Sequence, residues 1–210
     1  MFGRGLKVLA DSQEIDVRRA KIVHHLKDLL ARFAEPDHQA GLGEHRRIDL
    51  LDPRVRASIE QYRIICDVLA CDPELADTAA FCAHYGFALE TAANTILVAS
   101  KKVDPPKYAV CVVLGTTSLD VNHTVRELLD VKRLSFADGD TTIARTGMMI
   151  GGVTAFGIDG LPLYIDAAVM AQPRVVMGGG NRSSKVVLAP AELRKLPGAT
   201  VVDGLAKPRD

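Results

Sequence analysis

From Asp77 onward, short apolar runs alternate with helix-forming stretches, and this alternation predicts an α/β (α+β) domain. Two glycine-rich segments interrupt it, MIGGVTAFGIDG at 149–160 and GGGNRSS at 178–184, each beside an apolar run. A third observation sets the N-terminus apart. Ile22, Leu26, Leu29, Leu30 and Phe33 recur at helical spacing, so residues 1–52 read as a helical extension and residues 53–205 as the main domain.

The elements follow in order. The first helix, over 17–33, ends at Glu35-Pro36-Asp37, because proline disfavours helix in the residue before it. A polar connection, HQAGLGEHRR, leads to Asp52-Pro53, an N-cap followed by proline at the first helical position. Ile59, Tyr62, Cys66 and Leu69 then read as one buried helical stripe. Asp77 starts a short helix through Tyr85 that Gly86 closes. Residues 95–100 and 108–116 read as strands joined by a turn at DPPK. Asp120 or Asn122 caps a helix with Val125, Leu128 and Leu129 inward. A strand at 133–137 precedes a helix closed by Gly147. The strands LPLYID, PRVVM and KVVL, a helix opened by Pro190 and a last strand ATVVD complete the domain.

Charge narrows the function. Lysine plus arginine and aspartate plus glutamate number 26 each, so the chain has no global pull on nucleic acid and any RNA contact is local. That speaks against a DNA-binding surface. No apolar run is long enough to span a bilayer, and the N-terminus lacks an apolar signal core. The cytoplasm, with reduced thiols, is the expected compartment. Cys66, Cys71, Cys82 and Cys111 match no CxxC spacing. A metal cluster of Cys71, Cys82 and His84 is the weaker reading beside buried thiols. His84 and His123 read as polar helix-end residues. His24, His25 and the basic pairs of the extension read as solvated surface.

The glycine loops are the candidate site. Glycine admits positive φ and close backbone approach, and exposed N–H groups there can hold an anion or a developing oxyanion. Tight turns alone would use the same residues. Neither loop matches GxxxxGK[ST] or GxGxxG, and no GxSxG elbow is present. Phosphate-loop nucleotide hydrolysis, dehydrogenase and serine-hydrolase chemistry are therefore not indicated.

The ordered set LDVNHTVRELLDVKRLSFAD, RTGMMIGGVTAFG, LPLYID, VVMGGGNR and VVLAPAEL resembles the YbaK/prolyl-tRNA editing family, whose members carry TG...GG(I/V)SPFG, LP..ID and GG.R in that order. The resemblance runs from about 59 to 203. It implies a single mixed domain on a curved sheet, with a pocket lined by the two glycine loops. It also implies an aminoacyl-tRNA deacylase, which hydrolyses the ester of a mischarged tRNA without metal or cofactor, assisted by the vicinal ribose hydroxyl. The implied partners are the aminoacyl-tRNA 3' end and an aminoacyl-tRNA synthetase. Carried over by position, Asn94, Gly151, Gly152 and Asp166 are the expected catalytic residues. Gly178, Gly179, Gly180 and Arg182 are the expected substrate-binding ones. Two positions depart from the family: Asn94 stands where it has a lysine in KT(L/I), and Ala155 where it has a proline. Asparagine can hydrogen-bond but carries no charge. Lys101 and Lys102, further along the same strand, are the lysines the sequence offers as substitutes. A catalytically silent module that binds aminoacyl-tRNA or docks on a synthetase is the alternative reading.

Overall fold

The computed structural model describes residues 47–209. The helix expected at 17–33 and most of the polar connection lie outside the described residues.

In chain order the elements are α1 (Pro53–Gln61), β1 (Cys66–Ala70), α2 (Thr78–Tyr85), β2 (Ala93–Ser100), β3 (Tyr108–Leu114) and β4 (Thr117–Leu119). A π-helical turn, Val121–Val125, runs into the one-turn helix α3 (Arg126–Leu128). Then come β5 (Leu134–Phe136), α4 (Gly139–Thr146), β6 (Leu163–Asp166), α5 (Ala167–Met170), β7 (Val175–Gly178) and β8 (Ser184–Leu188). A 3-10 helix, Pro190–Lys195, and the strands β9 (Ala199–Val202) and β10 (Ala206–Pro208) finish the domain. Strands and helices of this mixed kind form the α/β architecture that the alternation predicts.

The largest sheet has the order β5-β2-β3-β6-β9. It is mixed: β2 pairs antiparallel with β3 and β5, whereas β3–β6 and β6–β9 are parallel. A second sheet, β1-β8-β7, is antiparallel and meets the first through an isolated bridge between Ala92 and Val176. That bridge brings the start of β2 beside β7, and β7 holds β8 in register, so Gly178 faces Lys185.

Strand β3 shows why the sheet is stable. Val110, Val112 and Leu114 join the core cluster that includes Ile59, Phe156, Ile165 and Leu193. Ala109, Cys111 and Val113 join a second cluster with Val125 and Leu205 on the other face. A strand covered on both faces reads as a continuous apolar run, as YAVCVVL does. Each such valine contributes on the order of 1.5–3 kcal/mol by burial.

Most expected boundaries agree to within a residue or two, and three features differ. The helix begun at Pro53 stops at Gln61, and Cys66 and Leu69 lie on β1 instead of continuing its buried stripe. Arg63 takes a positive φ of 50°, which breaks the helix, and CDVLA then pairs with β8. Cys66 and Leu69 fit a helical period as well as a strand, and the partner strand decides between them. Leu128 is 41% exposed while Val125 and Leu129 are buried, because the π-helical turn rotates the face that follows it. Strands β4 and β10, which the sequence pattern does not signal, pair among the described residues only with each other. Among the described residues no helix is long and apolar enough to cross a membrane.

Candidate functional site

A cavity of about 360 Å³ opens between helix α2, the start of β2, the Gly151 loop and the β7–β8 pair. That volume lies in the range of small-molecule sites. Thr78, Phe81 and Cys82 line it from α2, and Asn94 to Leu97 from β2. Phe136, Ile150, Gly151, Gly178 and Lys185 complete the wall. Phe136 and Ile150 are 57% and 48% exposed, so the rim is apolar.

Asn94 comes to this cavity because β2 begins at the bridge to β7. Its Oδ1 accepts from Thr78 Oγ1 at 2.6 Å, which turns the remaining donors of the amide to other uses. The hydroxyl of the next residue, Thr95, is buried and has no hydrogen-bond partner among the described residues.

The two glycine loops meet, as their placement in the sequence suggests. Gly180 N donates to Gly152 O at 2.7 Å, and Met149 N donates to Gly180 O at 3.1 Å. A Cβ on Gly152 would lie 2.2 Å from Asn181 O, and one on Gly178 would lie 2.3 Å from Gly152 O. Glycine at these two positions is thus required by one loop lying on the other. Gly151 and Gly178 line the cavity. Gly152, Gly179 and Gly180 stand behind it. Gly179 O accepts from Asp52 N, and Gly180 packs on Asp52 and Val55 at the start of α1.

Two expected site residues point elsewhere. Asp166 is buried, but its carboxylate caps α5 by accepting from Ala168 N at 2.7 Å and holds Ala206 N at 2.7 Å. It does not line the cavity, and both oxygens have structural donors. Arg182 ties the loop down: its guanidinium donates to Pro73 O and Ile150 O and pairs with Asp77 at 3.5 Å. Asp77 precedes α2 but makes no side-chain cap, being turned to Arg182.

Lys185, which the sequence reading passed over within an apolar strand, lines the cavity at 6% exposure. Its Nζ donates to Ala76 O at 2.5 Å and to Gly151 O at 3.3 Å, and lies 5.2 Å from the centre of the Phe81 ring. Among the described residues no carboxylate forms an ion pair with it. Burial pushes the ammonium below its ordinary range, while Cys71, Cys82 and Asp77 favour the charge. Burial pushes the nearby Cys71 thiol up to about 11, and that of Cys82 up as well. Lys101 and Lys102, the suggested substitutes, follow the end of β2, are exposed and do not line the cavity. The signal that could have found Lys185 was a lone lysine at the head of an apolar strand directly after a glycine loop. Neither His84 nor His123 lines the cavity, and no described group of three His, Cys, Asp or Glu side chains is placed to hold a metal.

A mixed sheet with a small-molecule cavity, walled by two interlocked glycine loops and holding a buried cation, defines an α/β binding pocket with donors in excess of bases. The chain belongs to the aminoacyl-tRNA editing domain family, whose model matches residues 72–196. The fold is similar to solved structures as well. A hypothetical protein is 21% identical with TM-score 0.66, covering 73% of this chain and 99% of that one. A candidate trans-editing enzyme for prolyl tRNA synthetase is 23% identical with TM-score 0.61, covering 73% of this chain and 97% of that one. A scaffold used for grafting linear epitopes by computational design is 24% identical with TM-score 0.62.

Proposed function

We propose that this chain is an aminoacyl-tRNA deacylase that acts in trans on the ester of a mischarged tRNA. The observation that carries the reading is the cavity itself. In a chain of the aminoacyl-tRNA editing family it gathers Asn94, Gly151 and Lys185 into one wall rich in hydrogen-bond donors. Water adds to the acyl carbon, the ester C–O bond breaks, and the amino acid leaves as a carboxylate. The ribose oxygen takes a proton, and the second proton of the water goes to solvent. Among the described residues Asp77 is the one carboxylate lining the cavity and is paired with Arg182, and no histidine lines it. Proton transfer therefore falls to the vicinal ribose hydroxyl and water, and the protein contributes positioning and charge stabilisation.

The exposed Phe136 and Ile150 suit a terminal adenosine, whose base stacks on aromatic and apolar side chains. Asn94 orients the ester by its amide. Gly152, Gly179, Gly180 and Arg182 hold the loops, and Asp166 holds the sheet beneath them. The reading places the protein in the cytoplasm, with its four free thiols buried. An aminoacyl-tRNA synthetase is a second proposed partner.

The test is release of amino acid from a panel of cognate and mischarged aminoacyl-tRNAs by the full chain. One group of mischarged tRNAs should be hydrolysed well above the buffer rate. Tight binding with no hydrolysis of any member would replace this reading with the silent-module one.

A further inference from the structure

We propose that Lys185, on β8, is the cation of this pocket, and that it binds the oxyanion that develops on the acyl carbon during ester hydrolysis. The inference rests on the deacylase reading and adds a residue to it.

Three observations converge. The first is burial without a counter-ion. Lys185 is 6% exposed, and its ammonium contacts two backbone carbonyls and a ring face, with Cys71, Cys82, Asp77 and Arg182 nearby but no carboxylate in ion-pair contact among the described residues. A buried charge is costly unless paired, and a methionine would fill such a position at lower cost. A cation kept there, at the wall of a cavity, is completed by an anion from the ligand. The second is position. Nζ lies 3.3 Å from Gly151 O, at the turn where Gly151 takes a φ of +87°. No bond within the described residues uses the Gly151 N–H. An ammonium and an unused backbone donor at one turn form the kind of pair that holds a tetrahedral oxyanion. The third is the vacancy of charge on β2. Asn94 is neutral and its Oδ1 is held by Thr78, while among the described residues Asp77 and Lys185 are the only acidic or basic side chains lining the cavity. Asp77 is mostly exposed and engaged with Arg182. The cation therefore enters from the neighbouring sheet, through the register that sets Lys185 opposite Gly178.

In the step itself Lys185 exchanges no proton. Its ammonium donates a hydrogen bond to the carbonyl oxygen, which becomes anionic as water adds and returns to a carbonyl as the ribose oxygen leaves. The effect belongs to the transition state, so it appears in kcat more than in KM.

The experiment compares the full wild-type chain with Lys185→Gln, which keeps a donor for Ala76 O and loses the charge, and with Lys185→Arg, which keeps the charge. Melting temperatures establish folding. On the tRNA that the wild type hydrolyses best, Lys185→Gln should lower kcat about a hundredfold with KM within about threefold. Lys185→Arg should recover part of the loss. In parallel, two adenosine 3'-linked probes are bound. One is an anionic aminoalkylphosphonate that mimics the tetrahedral intermediate, and the other is a neutral aminoacyl amide. Lys185→Gln should weaken the phosphonate at least tenfold and leave the amide unchanged. A folded Lys185→Gln with kcat within twofold of wild type, or equal loss of both probes, overturns the assignment and leaves the deacylase reading intact. A wild type that hydrolyses no tRNA yet shows the Lys185-dependent preference for the phosphonate overturns the deacylase reading and sustains the charge assignment. A wild type that neither hydrolyses nor binds either probe overturns both. If Lys185→Gln does not fold, the wild type and Lys185→Arg decide. Wild-type preference for the phosphonate should fall as pH rises and the ammonium deprotonates among Cys71, Cys82, Asp77 and Arg182, and the arginine variant should hold it. Equal pH profiles for the two overturn the proposal.

Discussion

Asp166 and Lys185 are both buried charged side chains on strands of this domain, and their surroundings differ in kind. Asp166 ends β6 with one carboxylate oxygen on Ala168 N and the other on Ala206 N. Lys185 sits near the head of β8 with two carbonyls on its ammonium and a cavity beside it. The first charge is answered wholly by the fold. The second lacks a counter-ion among the described residues. A buried charge whose partners are all backbone donors with good geometry is a structural fastener, whereas one left without an opposite charge at a cavity wall marks a ligand. The aspartate of LPLYID is one of the four residues the resemblance implies as catalytic, and in the structure its two oxygens are held by Ala168 N and Ala206 N.

The largest expected effect breaks the structural side of the contrast. Asp166→Ala removes the cap of α5 and the acceptor for Ala206 N, and should cost about 3–5 kcal/mol. Urea denaturation measures it, and the turnover of the folded fraction should stay near wild type. A loss below about 1 kcal/mol, or a collapse of turnover in a fully folded variant, would return Asp166 to the site.

Next in size is the loop contact that puts Gly151 beside Lys185. Gly152→Ala should destabilise by about 2–3 kcal/mol, because its Cβ would fall 2.2 Å from Asn181 O, a backbone atom that cannot yield cheaply. Gly139→Ala is the control, with nothing within 4 Å of the added Cβ and no positive φ. It should be neutral or stabilising by about 0.5 kcal/mol. Equal effects in thermal melts would show that the two loops do not depend on this contact.

The ligand side is sharpened by stability against pH. The folded-state Lys185 ammonium lies below its ordinary value of 10.5 because burial disfavours the charge. Between the lowered value and 10.5 the unfolded chain holds the proton more than the folded one does, so stability rises with pH across that window. Below the window the full penalty is present. Lys185→Met lacks the titration. At neutral pH it should fall within about 1–2 kcal/mol of wild type, and the wild type should gain on it from pH 7 to pH 10. Chemical denaturation at both pH values checks this. A constant difference would mean that the ammonium is not desolvated.

The smallest effect concerns Asn94. Asn94→Ala removes the acceptor of the Thr78 hydroxyl and should cost about 1 kcal/mol, with a modest fall in hydrolysis. A larger loss of kcat than Lys185→Gln gives would move the centre of the chemistry back to β2.

Much of the fold was legible in local pattern. Asp52-Pro53, Gly86 and Gly147 mark helix ends by side-chain capping, ring constraint or left-handed φ, and the structure uses them so. The meeting of the glycine loops was legible from the order of the motifs. The length of α1 was not, because CDVLA satisfies both periods until β8 is beside it. Nor were β4 and β10, three residues each, whose pairing joins distant parts of the chain.

By itself the sequence determined the alternation of strand and helix, the glycines on which close backbone approach depends, and the absence of charge at Asn94. These are local properties, written in side-chain period, backbone freedom and residue type. Only the tertiary structure decided which charged groups face the cavity. Asp166 closes one apolar strand and Lys185 stands near the head of another, and which way each points depends on what stands across from it. The partners of Asp166 are Ala168 and Ala206, and those of Lys185 are Ala76 and Gly151, 109 and 34 residues away in the chain. Contacts over such separations are set by sheet register and packing, so the position of the cation could be read only once β7 and β8 were paired beside the start of β2.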